Sequence, residues 1–367
     1  MTVTEPRPDT PIDEDALGAF AESLFGAALG TIELTMAYFG RRLGLYEALQ
    51  AGPRTSAELA SAAGIDERYA REWLEQQAVA GVVVVDDAEA DAATRRFRLP
   101  TEHALVLLDE ENPAYSGALA DVIGPLVLSV DLVADAFRTG AGVPFAAYGL
   151  HDMQAGFTRP MFASSLVTEW LPALPDLQAR LEAGEPLRIA DFGCGEGWAA
   201  IYLAEAYPHV TVDGFDLDDA SVAQARKHAS ERGVADRVRI EVQDVTDPSF
   251  RGQYDLVMAT EVVHDLADPV GALTAMRRLA GGSGAVLIID ENADETFSAP
   301  GDEVQRLLYG FSVLHCLPAG RTHEHSAATG TVMRPATFEA YATQAGFGGV
   351  TILPIEHPFF RFYRLEG

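Results

Sequence analysis

The sequence predicts an α/β protein whose C-terminal half is a doubly wound, mainly parallel sheet and whose N-terminal part is helical. A short apolar run, Ile189 to Phe192, leads into the glycine-rich turn Gly193 to Gly197 and then into an apolar helical stretch. A second apolar run, Val210 to Phe215, follows and ends in Asp216. A strand, a glycine turn, a helix and an acid-capped second strand together form a nucleotide-binding unit of the Rossmann-like type.

The glycines of this turn have a physical purpose. They supply backbone angles that a Cβ atom would obstruct. They also let a ligand approach bare main chain at the N-terminus of a helix. The spacing Gly-x-Gly-x-Gly differs from the dinucleotide-binding Gly-x-Gly-x-x-Gly, because the third glycine arrives one residue early. An enzyme that uses a nicotinamide dinucleotide is therefore disfavoured.

Alternation of apolar and polar segments predicts a seven-stranded sheet in the C-terminal half. The last two strands are separated by only Ile355 to Pro358, which favours a hairpin. Residues 291–334 are too long for a plain connection, and an insertion at this edge of the sheet lies where ligands bind. The predicted strands lie near 188–192, 210–215, 237–242, 254–259, 284–290, 349–354 and 359–365.

The sequence of the N-terminal part predicts a winged-helix domain. Apolar residues at helical spacing run from Ala16 to Gln50. Thr55 and Glu58 fit a capping box, and Asp66 fits an N-cap. Two short strands after Gly81 then form the wing. The predicted division is a disordered acidic leader at 1–15, a winged-helix dimerisation domain at 16–100, a helical linker and pocket segment at 101–184, and the sheet domain at 185–367, with an active-site insertion at 291–334.

Composition limits the partners of the chain. A formal charge of −29 over 367 residues disfavours nucleic acid, whose affinity comes largely from basic residues. The same charge disfavours an anionic membrane surface. No signal region and no apolar run of membrane-spanning length is evident. Only Cys194 and Cys316 are present, which fits a reducing cytoplasm.

The C-terminal half resembles class I S-adenosylmethionine-dependent methyltransferases. The resemblance covers roughly residues 185–367 and rests on four motifs in order: the glycine turn, the strand ending in Asp216, the strand 239–245, and the strand 254–259. It implies S-adenosyl-L-methionine as cofactor and S-adenosyl-L-homocysteine as product. It also implies a cofactor site that contains Asp191, Gly193, Gly195, Asp216, Leu217, Asp244, Val245 and Glu261, in which Asp216 holds the ribose and Asp244 the adenine.

The whole chain is similar to two-domain small-molecule O-methyltransferases of bacteria and plants. Residues 40–49 and 56–60 resemble the N-terminal domain of that group, which implies a homodimer through this domain. His264, in the segment 261–268, matches the group's general base, and Glu291 or Glu324 is the candidate acid that orients it. Leu266 stands where the group has a tryptophan. The alternative for His264 and Asp265 is that they only cap the following helix.

Aromatic and polar residues between the domains and in the insertion are candidates for the substrate pocket, although at helical spacing such residues also pack cores. They are Tyr148, His151, Phe157, Trp198, Tyr309 and His315. No metal site is expected, because His323 and His325 lack a third fixed ligand. Cys316 has little support as a nucleophile.

The function predicted from these features is methylation of an oxygen, with a nitrogen or a carbon as the alternative acceptor atom, on a small aromatic or polyketide-like metabolite. Two alternatives stay open. The first is a cofactor-sensing transcriptional regulator that uses the winged helix on DNA, although residues 67–75 mix Arg68 and Arg71 with three glutamates. The second is a methyltransferase-like enzyme that uses the bound sulfonium only as an electrostatic aid to a non-methylating reaction.

Overall fold

The chain folds into two compact units, seen in a computed structural model that describes residues 12–149, 155–247 and 249–367. The first unit takes in the residues up to 108 together with 119–123, and the second takes in 109–118 and 124–367. These boundaries differ from the predicted ones at 100 and 184. The difference arises because residues between 162 and 181 pack into the core of the sheet and do not form a separate segment.

The first unit is mainly helical. Its elements are α1 (Glu14–Arg42), α2 (Leu45–Gln50), α3 (Ser56–Ala63), α4 (Glu67–Val79), β1 (Val84–Val85), β2 (Phe97–Arg98) and α5 (Thr101–Leu108). The predicted single helix from Ala16 to Gln50 is broken at Gly44, which has a φ of 66°. The predicted disordered leader is also too long, because Asp13 caps α1 by accepting from the amides of Asp15 and Ala16. Residues 1–11 of that leader lie outside the described residues.

The predicted winged-helix pattern is confirmed. Thr55 and Glu58 form both halves of the capping box before α3. Asp66 caps α4 by accepting from the amide of Arg68. The wing is the antiparallel pair of β1 and β2, in which Val85 lies opposite Phe97.

Helix α1 leaves a long row of apolar side chains in contact with solvent. They are Leu17, Phe20, Leu24, Phe25, Leu29, Ile32 and Phe39, each more than two-fifths exposed. By length and composition alone, α1 could cross a bilayer, and none of its most apolar stretch is buried. The bent pair of Gly117–Leu128 and Val130–Thr139 passes the same test as one broken span. The expectation that no segment reaches this length is therefore wrong, because occasional polar residues interrupt the run without making the helix polar.

The second unit contains the predicted seven-stranded sheet. Its strands are β3 (Arg188–Phe192), β4 (Thr211–Asp216), β5 (Val238–Val242), β6 (Leu256–Thr260), β7 (Ala285–Glu291), β8 (Gly349–Ile352) and β9 (Phe360–Glu366). Their order is β5-β4-β3-β6-β7-β9-β8. Strand β9 runs antiparallel to both neighbours and the other described pairings are parallel, which confirms the predicted reversed hairpin.

The described part of the second unit also contains helices. They are α6 (Gly117–Leu128, of which 119–123 group with the first unit), α7 (Val130–Thr139), α8 (Ala155–Met161), α9 (Pro175–Glu182), α10 (Trp198–Ala206), α11 (Asp219–Glu231), α12 (Pro269–Ala280), α13 (Glu303–Phe311), α14 (Leu317–Gly320) and α15 (Pro335–Gln344). Neighbouring residues of β3 enter opposite cores, Ile189 with α10 and Ala190 with α12. The strand order reverses between β3 and β6, and ligands of such sheets bind in the crevice at this reversal.

Candidate active site

The glycine turn at the end of β3 is shaped by two different constraints. Gly193 has a φ of 65°, and a Cβ atom there would lie 2.4 Å from Cγ2 of Val262. Gly195 has a φ of 49°, and a Cβ atom there would meet nothing within 4 Å. Gly193 is therefore required by packing, whereas Gly195 leaves bare backbone facing open space. Space next to a turn that opens a helix suits a ligand.

Two carboxylates stand beside this turn. Asp216 accepts from the amide of Gly195 at 2.8 Å with Oδ2 and from the amide of Asp218 at 2.9 Å with Oδ1. Asp191 is only 3% exposed, and its Oδ2 atom has no hydrogen-bond partner. Burial, with a smaller contribution from the charge of Asp216, raises the pKa of Asp191 to about 7. Burial also raises the pKa of Asp216 above its usual value. A cationic group near this pair would offset the burial of their charge.

Both carboxylates line a single cavity of about 980 Å³. The eight residues predicted to hold the cofactor all reach it: Asp191, Gly193, Gly195, Asp216, Leu217, Asp244, Val245 and Glu261. Leu217 is 67% exposed, so an apolar side chain covers one side of the opening. Asp244 sits in a tight turn, where its Oδ1 accepts from the amide and hydroxyl of Thr246. The cavity thus combines a bare glycine turn, carboxylates and an apolar cover.

His264 lies next to this cavity, in a short turn (Val263–Asp265) that follows β6. Its Nδ1 donates to Oδ1 of Asp290 at 2.6 Å and lies 2.8 Å from Oε2 of Glu291. Oδ2 of Asp290 also accepts from the amide of Val263 at 3.1 Å. Asp290 therefore holds the ring and the backbone of the turn together.

The cavity wall at this corner is formed by Asp265 and not by His264. His264 is 2% exposed and is absent from the cavity lining, whereas Asp265 lines the cavity with a side chain about a quarter exposed. Nε2 of His264 lies 3.2 Å from Oδ1 of Asp265. The predicted role of His264 as a general base stays a prediction, and its side chain does not line the cavity. Its Nε2 atom faces the side chain of Asp265 before it can face an acceptor.

The corner concentrates charge in a buried space. Burial alone would lower the pKa of His264, but the carboxylates of Asp265, Glu291 and Asp290 raise it well above its usual value. Burial tends to raise the pKa of Asp290, but the charge of His264 outweighs this and lowers it to about 2. Burial raises the pKa of Glu291 well above its usual value and that of Glu261 to about 7. Glu261 also has a φ of 55°, which is strained for a residue with a side chain.

Glu291 and Glu324, the two acids predicted as candidates for orienting His264, lie in different places. Glu291 contacts Nδ1, as one of the two predicted candidates. Glu324 is exposed on the cavity wall, whereas Glu291 is the one of the two that reaches Nδ1. Asp290 was not predicted, because adjacent residues of a strand normally point to opposite faces. Asp290 and Glu291 both reach the imidazole ring of His264, because β7 ends at Glu291.

Four of the six residues predicted for the substrate pocket do not line this cavity. Trp198 lines the cavity, as expected. Tyr148 and His315 are buried against each other with ring centroids 4.7 Å apart, and neither lines the cavity. Phe157 pairs with Phe311, and Tyr309 accepts from Arg334. His151 lies outside the described residues.

Other side chains take these places on the cavity wall. Ala155, Thr158 and Phe162 line it from α8 and the helical turns that follow, and Phe145 lines it from a nearby short turn. The spacing of three and four residues between Ala155, Thr158 and Phe162 puts them on one helical face. This spacing is visible in the sequence and could have identified the three residues as cavity-lining. Phe157 does not share their helical face.

Comparisons with known proteins agree with this geometry. Residues 189–284 match a family model described as a methyltransferase domain, and residues 30–108 match an Rv2258c-like winged HTH domain. A ubiquinone biosynthesis O-methyltransferase of Bordetella bronchiseptica is 30% identical over 181 residues, which is 49% of this chain and 70% of the relative.

Solved structures with the same fold span nearly the full chain. Human N-acetylserotonin methyltransferase, solved with S-adenosylmethionine, has a TM-score of 0.67 at 18% identity and covers 98% of this chain and 100% of its own. The O-methyltransferase NcsB1 from neocarzinostatin biosynthesis, solved with S-adenosyl-L-homocysteine and 1,4-dihydroxy-2-naphthoic acid, has a TM-score of 0.60 at 21% identity and covers 91% and 96%. The chain belongs to the S-adenosylmethionine-dependent methyltransferases and carries an N-terminal winged-helix domain.

Proposed function

We propose that this enzyme methylates a hydroxyl oxygen of a small aromatic or polyketide-like metabolite. The observation that supports it is that the glycine turn and its carboxylates line the same cavity as Asp265, the neighbour of His264. A methyl donor on the turn and an acceptor at the corner would then share one cavity. Positioning of this kind supplies much of the rate in a displacement reaction.

The residues at the turn fit S-adenosylmethionine. The cofactor, when bound, supplies a methyl group on a cationic sulfonium. Asp216 is held over the turn with its carboxylate fixed by two amides, and it is placed for the ribose hydroxyls. The orphaned Oδ2 of Asp191 is placed for a donor or a cation. Asp244, Val245 and Leu217 are placed for the adenine, and Gly193 and Gly195 keep the main chain open.

The corner of the cavity fits an acceptor hydroxyl. Asp265 presents a carboxylate to the cavity, and His264 holds that carboxylate from behind. A hydroxyl oxygen becomes strongly acidic as it gains a methyl group, so even a weak base suffices to take its proton. Phe145, Phe162 and Trp198 add apolar wall. An aromatic acceptor suits such a wall.

A direct experiment tests this proposal. The purified protein is incubated with deuterated-methyl S-adenosylmethionine and a panel of hydroxylated aromatic and polyketide-like compounds, and products are read by mass spectrometry. We expect a product that gains the labelled methyl mass, with equal formation of S-adenosylhomocysteine. A consumed substrate with no gain of methyl mass would instead support the non-methylating alternative.

Cofactor binding should depend on pH. The pKa of Asp191 is raised to about 7, so the carboxylate is largely protonated below that pH and ionised above it. A cationic ligand favours the ionised form, so its binding releases a proton at low pH. We expect the affinity for S-adenosylmethionine to fall by roughly tenfold for each pH unit below about 7.

Titration calorimetry in two buffers of different ionisation enthalpy measures this proton release. The matched variant Asp191→Asn should bind more weakly at pH 8 and lose most of the pH dependence. An affinity of the native protein that is flat between pH 6 and pH 8 would show that Asp191 does not face the cofactor's charge.

We also infer that the enzyme is a homodimer through α1. The exposed apolar row of this helix is longer than single scattered residues would explain, and such patches mark interaction sites. The variant Phe20→Glu/Leu24→Glu should shift the protein from dimer to monomer, because it places charge in the centre of the row. Light scattering after size-exclusion chromatography reads the mass, with Glu22→Gln as control. A native protein of monomer mass would refute the dimer.

The winged helix gives little support to the alternative that this protein is a DNA-binding transcriptional regulator. The arginines of α4 pair with glutamates of the same helix, Arg68 with Glu72 and Arg71 with Glu67. Their charges are thus already offset on the surface that would face DNA. We expect no nucleic acid or membrane partner and a cytoplasmic location. Sequence-specific, salt-dependent retention of DNA in a gel-shift series would favour the regulator instead.

A further inference from the structure

The wall of the cavity carries many acidic side chains and no permanently basic one. Of the residues that the structure describes, nine with a carboxylate line the cavity and no lysine or arginine does. The chain as a whole has 26 basic and 55 acidic residues, so its general acidity does not account for a wall without a base. The nine are Asp191, Glu196, Asp216, Asp218, Asp244, Glu261, Asp265, Asp268 and Glu324.

Three of these carboxylates belong to the part of the wall near His264 and not to the glycine turn. Asp265 and Asp268 lie in the segment that follows β6, and Glu324 lies in the insertion 291–334. Asp268 caps α12 by accepting from the amide of Gly271 at 2.8 Å. A carboxylate in such a cap keeps its negative charge, so all three present charge to the cavity.

Backbone hydrogen bonds join the two segments that carry these acids. The amide of Ala327 donates to the carbonyl of Ala267 at 2.9 Å, and the amide of Gly330 donates to the carbonyl of His264 at 3.1 Å. Glu324 lies three residues before the first of these bonds. Because the segments are tied together, the acids of the insertion and of the turn after β6 form one continuous acidic wall.

An arginine approaches the cavity without adding positive charge to its wall. The guanidinium of Arg159 lies 3.8 Å from the ring centroid of Trp198, which does line the cavity. The same guanidinium pairs with Glu110 and, at 3.0 Å, with Glu111. Two glutamates therefore offset the charge of Arg159, and the indole ring is the group that faces the cavity.

A cavity lined by one sign of charge discriminates between ligands by their charge. Walls of low dielectric constant concentrate the potential of the acids inside the cavity. The acids already act on one another there: burial, followed by the charge of Asp216, raises the pKa of Asp191 to about 7. The cofactor brings only one net positive charge. An acceptor with a carboxylate, sulfate or phosphate group would therefore be repelled, and a cationic acceptor would be attracted.

We propose that the acceptor carries a positively charged amine in addition to the hydroxyl that is methylated, and that Asp268 and Glu324 select it. This inference rests on the proposed function, because it names the substrate class of the same site: a hydroxylated aromatic or polyketide-like compound with a basic nitrogen. Asp268 and Glu324 are carboxylates of the acceptor wall that do not hold His264. The amine binds, whereas the hydroxyl oxygen receives the methyl group.

The test compares three catechols that differ only in the charge of one substituent. They are dopamine, 4-ethylcatechol and 3,4-dihydroxyphenylacetate, which are cationic, neutral and anionic at pH 7.5. The full-length protein receives all three together with deuterated-methyl S-adenosylmethionine, and mass spectrometry reads the product ratio. We expect dopamine to be methylated at least roughly tenfold faster than the anion, with the neutral compound between them.

Two double variants with the same change in charge separate the cavity wall from the general charge of the protein. Asp268→Asn/Glu324→Gln should lower the preference for dopamine over the anion by roughly 3- to 10-fold, because two charges leave the wall. Glu295→Gln/Glu303→Gln is the control, since both residues are exposed in the same insertion and neither lines the cavity. It should keep the native ratio. Circular dichroism confirms that both variants are folded.

The outcomes separate this inference from the proposed function. Equal rates for dopamine and the anion, or a ratio that Asp268→Asn/Glu324→Gln leaves unchanged, would overturn the charge selection while methyl transfer itself stands. If no compound is methylated, saturation-transfer NMR measures binding of the same three compounds to the protein loaded with S-adenosylhomocysteine. Stronger binding of dopamine would then support the charge selection without the proposed function. Equal signals from dopamine and the anion, or none from either, would overturn it.

Discussion

Replacement of Asp216 by asparagine is expected to weaken S-adenosylhomocysteine binding by roughly 10- to 100-fold, as measured by titration calorimetry. Asp216 ends β4 beside the glycine turn, and amides of Gly195 and Asp218 hold its two oxygens at 2.8 and 2.9 Å. A charged acceptor fixed in this way contributes about 1.5–3 kcal/mol to a hydrogen bond with a hydroxyl. Asparagine keeps the shape but removes the charge and one acceptor oxygen.

Asp219→Asn is the matched control for this experiment. Asp219 is exposed three residues further along the chain and does not line the cavity. Its replacement should leave the affinity unchanged within error. Thermal unfolding of both variants excludes a general loss of structure. Equal affinities for the two variants would show that Asp216 serves the glycine turn and not a ligand.

Replacement of His264 by alanine is expected to lower turnover by roughly 10²–10⁴-fold and to leave cofactor affinity nearly intact. The ring holds Asp265 at the cavity wall on one side and contacts Asp290 and Glu291 on the other. Its loss removes the organisation of the acceptor corner, whereas the carboxylate of Asp216 is held by the amides of Gly195 and Asp218. Turnover and cofactor binding therefore report on separate parts of one site.

His325→Ala is the control for this variant, because His325 is an exposed histidine on the wall of the same cavity. We expect it to affect turnover much less. His264→Ala also leaves buried carboxylates without their cation, so its unfolding temperature must be measured with its activity. A folded His264→Ala protein with native turnover would return this residue to the role of a helix cap.

The strands, the glycine turn and the helix caps were predicted well from the sequence, because patterns within a few residues determine them. The glycine turn, the acid at Asp216 and the apolar strands are each signalled within a few residues. All seven strands lie within two residues of their predicted starts. The capping residues Thr55 and Asp66 were found for the same reason, since a cap depends on neighbours close in the chain.

The acceptor corner was harder to predict, because it depends on distant parts of the chain. His264 lies in the turn after β6, Asp290 in β7 and Cys316 in a helical segment after α13, and no local pattern says that they meet. Tyr148, Phe157, Tyr309 and His315 do not line the cavity for a related reason. Composition pointed to Phe157, whereas the helical register turns Phe162 towards the cavity. The choice between these two residues depends on which face of the helix packs on the sheet.

The central claim is that the glycine turn and the corner of Asp265 are two ends of one methyl-transfer site. A crystal structure with S-adenosylhomocysteine tests it most directly, through the position of the sulfur atom. We predict that the ribose contacts Asp216 and that the sulfur faces the side of the cavity formed by Asp265. A homocysteine sulfur turned away from that corner, or a ligand bound outside the cavity, would contradict the claim.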